Sequence, residues 1–418
     1  MYPYIQKNTT LHYLDKNAVL YGDVKRYIIN NVEVYMSEKI DGMKTKDEIV
    51  KEIANDLESD DIDRIRSIFD EFVNSKSLLI KTSETPKSHI IKRTGIKGKK
   101  VPLNVILSLT NKCVMSCEHC FKSCSTQGNI SISYNKLMNT LKFLSGKTMT
   151  VQLTGGEPMA YDRFLDVLDY CSENFETRIT TTAVLINKNN IDHFKNVRMI
   201  QVSVYSNNPE EHDMFTNLNG SFDKTINGID TIVQAGIPVC ISTIVTKRNK
   251  DRIQDMIELA LEHGVDKLRF GSLVPMGRCL KLKDQICLSN DEIDEMTGII
   301  DEFSNKYKDK INIGNWESSK NEFEKDRDKD MDCFDCGAGL CQWIINENGN
   351  VKPCEFIPDE IFTMGCIEEE SVEDILEQYN LNNLARSIKK WEKDLNDINS
   401  TVNEICPNIR KYYEEKCV

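Results

Sequence analysis

Four of the chain's fifteen cysteines fall within residues 109–124, "LTNKCVMSCEHCFKSC". Cys113, Cys117 and Cys120 stand as C-x3-C-x2-C, and Cys124 follows. A cysteine-rich stretch offers disulfides, redox catalysis or metal binding, because the thiolate is both a nucleophile and a soft ligand. Three thiolates on one short loop can hold three irons of a [4Fe–4S] cluster and leave the fourth open to a small ligand, whereas an electron-transfer cluster takes a fourth cysteine. Structural zinc is the other reading of the triplet. It closes to four ligands, and Cys124 or His119 could complete the set.

Composition narrows the choice. At 418 residues the chain is long enough for two or three domains with cores of their own. With 40% hydrophobic and 28% charged residues, no long apolar run and no secretory h-region after Met1, the expected setting is the cytoplasm, with no membrane partner. In a reducing compartment, clustered cysteines point to metal or catalysis. The net charge of −13 argues against a general nucleic-acid binder, which needs a basic surface.

The elements around the loop predict an α/β fold. From residue 102 to about 310, "LNVILSL", "TMTVQLT", "TRITTTAVL", "MIQVSVY", "VCISTIV" and "KLRFGSLV" alternate with helical segments such as "SYNKLMNTLKFLS" and "FLDVLDYCSENF". Six β-branched runs separated by helices mean repeated βα units and a parallel sheet or partial (β/α)6 barrel. The cysteines then lie on the loop after the first strand, at the end where such folds collect their active sites. "GGEP" ends the second strand. Gly155 and Gly156 allow close backbone approach, and Glu157 beside exposed carbonyls can receive an ammonium group.

The first 93 residues read as a small mixed domain without cysteine. "RYIINNVEVYM" is a strand or buried helix, with helix favoured in its second half. Thr45 and Asp61 open two amphipathic helices, and Leu78 to Ile80 form a short strand, which together suggest a winged-helix-like module. Residues 94–101 read as linker. Residues 311–418 form a third region holding seven cysteines.

C-x3-C-x2-C after strand one with GGEP after strand two resembles the radical S-adenosylmethionine (radical SAM) superfamily over about 200 residues. The resemblance implies that Cys113, Cys117 and Cys120 ligate a [4Fe–4S] cluster and that S-adenosylmethionine chelates the open iron. Gly155, Gly156 and Glu157 would line its amino group, with His119 and Phe121 near the adenine side. Ser203 would contact its carboxylate or ribose, and Leu273 and Val274 the adenine. An electron from the cluster then yields a 5′-deoxyadenosyl radical that abstracts hydrogen from substrate. Thr181-Thr182-Ala183 departs from the family's Thr-Asn-Gly, and Tyr205-Ser206 from its Asp-Gly.

"CGAGLCQWIINENGNVKPC" resembles the start of a SPASM or twitch domain, which carries auxiliary iron–sulfur clusters. The stretch reads as a hairpin with Asn348-Gly349 suited to a type I′ turn. The dense C-x2-C-x5-C-x3-C block of a full SPASM pattern is missing, so one auxiliary cluster is expected, on Cys336, Cys354, Cys406 and Cys417. Cys333, Cys341 and Cys366 compete, and zinc remains the alternative there.

The layout resembles maturases of ribosomally made peptides of the sactipeptide and sporulation-killing-factor type, which link a cysteine sulfur to the α-carbon of another residue. That resemblance implies a precursor peptide held by its leader at residues 1–93 and a flavodoxin or ferredoxin as electron donor. A radical SAM–SPASM enzyme on another substrate (peptide epimerase, sulfatase maturase, haem-pathway enzyme) is the nearest rival. A zinc-binding adaptor using the winged-helix-like module on DNA is a rival of another class.

Overall fold

The computed structural model describes residues 1–22, 25–88, 91–274, 276–315 and 338–378. They fall into two compact units: one built from Met1–Leu103 with Gly146–Met149, the other from Asn104–Ser145 and the described residues from 150 onward.

The amino-terminal unit begins with strands that the sequence reading missed. β1 (Tyr2–Ile5), β2 (Thr10–Asp15), β3 (Asn17–Tyr21) and β4 (Arg26–Ile29) precede helices α1 (Asn31–Lys39), α2 (Lys46–Asp56) and α3 (Ile62–Ser75), after which come β5 (Ile80–Ser83) and β6 (Lys92–Lys97). "RYIINNVEVYM" is thus both things: a strand, then a helix that starts at Asn30, where the side chain of Asn30 and that of Glu33 form a reciprocal cap. Thr45 and Asp61 cap α2 and α3 through their side chains, as expected. β2, β3 and β4 form an antiparallel meander, β6 joins β2 in parallel, and β1 pairs with β5.

Residues 94–101 are therefore not a linker. β6 pairs with β2 from Thr10↔Lys92 to Asp15↔Lys97, and Thr94 and Val101 are buried. Buried His12 anchors both, with Nδ1 at 2.8 Å from Thr94 Oγ1 and Nε2 at 3.0 Å from the Val101 carbonyl. Burial pushes that imidazole down to about 4, so it serves as a neutral bridge. The Lys- and Gly-rich composition of this stretch hid the strand, because only the inward-facing residues need to be apolar or satisfied.

In the second unit all six expected strands are present: β7 (Asn104–Ser108), β8 (Thr150–Thr154), β9 (Glu176–Thr181), β10 (Met199–Ser203), β11 (Val239–Val245) and β12 (Lys267–Ser272). They are parallel, each beside its sequence neighbour. The connections carry α4 (Tyr134–Leu144), α5 (Phe164–Asn174), α6 (Pro209–Thr216), α7 (Ser221–Gln234) and α8 (Ile253–Glu262), and beyond β12 lie α9 (Lys283–Ile286) and α10 (Asn290–Tyr307). The sheet does not stop at six. β13 (Asn312–Gly314) adds a parallel strand beside β12, and at the other edge β14 (Gln342–Ile345) pairs in parallel with β7, from Gln342↔Asn104 to Ile345↔Leu107.

The hairpin of β14 and β15 (Asn350–Lys352) is antiparallel, as its sequence suggested, and β16 (Gly365–Cys366) extends it before α11 (Val372–Gln378). Its turn is not type I′. That type needs left-handed backbone at both central residues, and here Gly349 has φ +83° while Asn348 stays on the ordinary side. The Gly349 amide bonds to the Asn346 carbonyl at 2.8 Å, so the chain reverses over a longer turn with one left-handed residue at its end.

Candidate active site

A cavity of about 390 Å³ opens at the carboxyl ends of the parallel strands, and Cys113, Cys117 and Cys120 all line it. The loop that carries them is built by its own backbone: the Cys113 amide bonds to the Ser125 carbonyl and the Cys120 amide to that of Cys117. Met115, Cys124 and Val114 pack around the thiols. Burial pushes the Cys113 thiol up to about 12 and raises that of Cys117 as well, so a bound cation must supply the charge that stabilises their thiolates. The neighbouring Cys124 thiol draws Cys120 down to about 6. Cys124 lines the same cavity, a closer position than its spacing suggested.

Among the described residues no three His, Cys, Asp or Glu side chains converge on a point that one metal ion could occupy. Such spacing suits a cubane, whose irons take one thiolate each, better than a tetrahedral zinc. The rest of the cavity fits an organic ligand. Gly155, Gly156, Ser203, Leu273, Val274, His119 and Phe121 line it, as expected. His119 is buried, its ring 4.4 Å edge-on from Tyr205 and 5.7 Å from Phe215, and its Nδ1 has no hydrogen-bond partner. Burial, reinforced by the Arg278 cation, pushes His119 down to about 4, so a neutral ring offers the ligand one open polar atom.

Glu157 is the correction. It is fully buried and does not line the cavity; its carboxylate accepts from Thr181 Oγ1 (2.7 Å), the Thr182 amide (2.8 Å), Thr182 Oγ1 (2.6 Å) and the Met159 amide (3.2 Å). The two threonines that depart from the family pattern are its donors, so sequence reading had separated two halves of one contact. The glycines before it have a further reason. A Cβ at Gly155 would lie 2.6 Å from the Thr110 carbonyl oxygen, and one at Gly156 2.4 Å from that of Lys112, because this turn presses on the base of the cysteine loop. Glu157→Ala would strand those donors and cost about 3 kcal/mol in urea unfolding of the metal-free chain. A cost below about 1 kcal/mol with weakened S-adenosylmethionine binding would return Glu157 to a ligand role.

Tyr205, the other departure, stacks under His119 and against His212 and Phe215. Asp213 is structural, accepting from Ser221 Oγ and the amides of Gly220 and Phe222.

Sequence reasoning missed two cations that grip the cysteine loop. Lys122 is buried and donates to Ser108 Oγ (2.6 Å), Glu347 (2.6 Å) and Glu355 (2.8 Å). Burial alone would lower its ammonium, but the two carboxylates outweigh burial and hold it above its ordinary value. Parallel pairing of β14 with β7 brings this about, placing Glu347, beyond the end of β14, beside Ser108 at the end of β7. Phe121 and Phe356 meet alongside, 5.9 Å apart. Arg278, from the "FGSLVPMGRC" stretch, donates to the loop's carbonyls. The quoted stretch contained it, yet only a folded sheet shows what it touches.

Of the auxiliary candidates, Cys336, Cys406, Cys417 and Cys333 lie outside the described residues. The hairpin register divides the rest. Cys341 precedes β14 and Cys354 follows β15, at the open end, whereas Cys366 pairs with Asn350 near the turn and lies 3.6 Å from the Asn348 carbonyl. Cys279 and Cys287, unassigned from sequence, pack in one apolar cluster with Leu273.

Comparisons with known proteins agree with this geometry. The radical SAM superfamily model matches residues 107–260, and the SPASM model, an iron–sulfur cluster-binding domain, matches residues 333–408. The chain is 26% identical over 400 residues to the antilisterial bacteriocin subtilosin biosynthesis protein AlbA of Bacillus subtilis, covering 90% of this chain and 84% of that protein. It is 25% identical over 288 residues to the sporulation killing factor maturation protein SkfB of the same organism, covering 68% and 66%. In fold it is similar to Streptococcus suis SuiB bound to the precursor peptide SuiA, with a TM-score of 0.64 at 14% identity over 92% and 90% of the two chains. A cysteine loop at the mouth of a parallel half-barrel, joined along the same sheet to a cysteine-bearing hairpin, is what these two families share, and the chain belongs to the radical SAM superfamily of [4Fe–4S] and S-adenosylmethionine enzymes, with a SPASM domain for an auxiliary iron–sulfur cluster.

Proposed function

We propose that this enzyme modifies a ribosomally made precursor peptide by joining a cysteine sulfur to a carbon in a thioether crosslink. The similarity to AlbA carries the reading, because it runs through the amino-terminal unit as well as the barrel. SkfB, a maturation protein, and SuiB, seen with a precursor peptide, support it.

Bound at this site, the cluster and S-adenosylmethionine supply reductive C–S cleavage and a hydrogen-abstracting 5′-deoxyadenosyl radical. The chain's own residues shape where that happens. Cys113, Cys117 and Cys120 hold the cluster, and the Gly155–Gly156 backbone, Ser203, Leu273 and His119 line the cofactor's place. Lys122, Glu355 and Phe356 make the wall toward the hairpin, which keeps water away from a reactive centre. Cys354 stands next to Glu355 in sequence, so an auxiliary cluster there would sit beside the substrate, positioned to bind its thiolate or accept an electron.

The leader of the peptide is expected to add as a strand to the amino-terminal unit, where β4 is an outer strand of the four-stranded sheet. A flavodoxin or ferredoxin in the cytoplasm is the expected electron source; among the described residues no helix is long and apolar enough to cross a membrane. Incubation with a cysteine-containing precursor peptide should give a product lighter by about 2 Da, the mass of the two hydrogens lost, with the cysteine blocked to alkylation. An unchanged mass would mean epimerisation and overturn the crosslink.

A further inference from the structure

Arg278 has no role in the cofactor contacts described above, yet it makes three hydrogen bonds to the cysteine loop. Its Nε donates to the Cys117 carbonyl at 2.9 Å, its Nη2 to that of Cys124 at 2.6 Å, and its backbone N–H to that of Cys120 at 3.1 Å. The approach is as close as backbone permits. Gly277 holds φ +58°, and a Cβ there would lie 2.4 Å from the Phe121 carbonyl oxygen and 2.7 Å from that of Cys120.

These contacts do two things. The planar fork fixes the orientation of two carbonyls at once, and with them the thiols at Cys117 and Cys120. The guanidinium also brings a charge it cannot lose into a low-dielectric wall of the cavity. Among the described residues its side-chain bonds run to carbonyls and to no carboxylate, and the loop's own acid, Glu118, pairs with Arg248 instead.

We propose that Arg278 is a positioning residue that raises the reduction potential of the cluster held by Cys113, Cys117 and Cys120, through its charge and its grip on the loop. A cluster gains negative charge when reduced, and a nearby cation favours that state. The effect matters because the cluster must accept an electron from its donor before it can pass one on. The proposal rests on the cluster assignment and not on the peptide substrate, so its test needs no peptide.

Arg278→Gln and Arg278→Lys would be reconstituted anaerobically beside wild type, iron counted, and the cluster titrated spectroelectrochemically without S-adenosylmethionine. The auxiliary cluster is removed from the readout by using a Cys354→Ala background throughout. Arg278→Gln should load iron but show at least a tenfold lower ratio of reduced to oxidised cluster at fixed potential, about 59 mV for one electron. Arg278→Lys, which keeps the charge without the fork, should recover most of the loss. A loaded Arg278→Gln cluster with the wild-type potential overturns the proposal. If Arg278→Gln takes up no iron, uptake by Arg278→Lys still supports a need for the charge, while failure of both, with metal-free melting temperatures lowered alike, reduces Arg278 to a structural strut and overturns it. No iron at the loop of wild type would instead sink the cluster assignment itself.

Discussion

Replacing Cys113, Cys117 and Cys120 together by alanine removes about four irons per chain, the content of one cubane, and abolishes 5′-deoxyadenosine formation with dithionite. The three thiols line one cavity and are splayed too widely for a single ion, so each holds a separate iron and none has a substitute nearby. Cys124 is the one other thiol within the loop, and its place behind Cys120 cannot replace three ligands. The loss is not an unfolding effect. The loop's backbone bonds and the Arg278 contacts do not involve the sulfurs, and alanine is at ease among Met115, Val114 and Val184. Metal-free wild type and variant should therefore melt within about 1 kcal/mol of one another. Liquid chromatography of 5′-deoxyadenosine and iron analysis read both halves. Product formed by the triple variant would place the chemistry elsewhere, and no product from fully loaded wild type would mean a cluster without this reaction.

Lys122→Met should destabilise the second unit by about 3–5 kcal/mol, the usual cost of leaving buried charge without its partner. Glu347 and Glu355 have side chains only 13% and 21% exposed, and both lean on one ammonium that is itself 12% exposed. Adding Glu347→Gln and Glu355→Gln to Lys122→Met should restore most of the loss, because a neutral cluster leaves no charge stranded. Urea unfolding of the metal-free chains measures both steps. If the single variant costs less than 1 kcal/mol, water reaches the triad and the wall it forms is open. The pH dependence has a definite sign. The folded ammonium is held above its unfolded value near 10.5, so its contribution is fully present below that pH and fades as pH rises through the folded value. No loss from this group is expected between pH 6 and 9.

The six barrel strands and the helices between them were legible because each is written in a short window. A run such as "VCISTIV" is buried on both faces of a parallel sheet and so is apolar throughout. β2 and β6 were not legible. β2 holds a buried His12 and a polar Thr10, and β6 is mostly Lys, Arg and Gly; each becomes a strand through pairing with the other, 82 positions away at His12 and Thr94. At the hairpin, Asn348-Gly349 announced a reversal correctly but not its type, since the backbone of Asn348 is set by the Asn346 side chain, which accepts from the amides of Asn348 and Asn350.

The sequence by itself determined the cluster loop. C-x3-C-x2-C puts three thiols on one short segment whatever else the chain does, and a strand before it with a glycine turn after the next strand places that segment at the mouth of a sheet. Only the tertiary structure decided how the loop is held. Lys122 reaches Glu347 across 225 positions and Arg278 reaches Cys117 across 161, distances over which no spacing or periodicity carries information. The same holds for Glu157, which from its motif should face the ligand and instead turns to the threonines of β9. Spacing encodes what neighbours along the chain can do together. Which strands become neighbours, with β14 closing on β7 to bring its carboxylates to Lys122, is settled by the packing of the whole sheet.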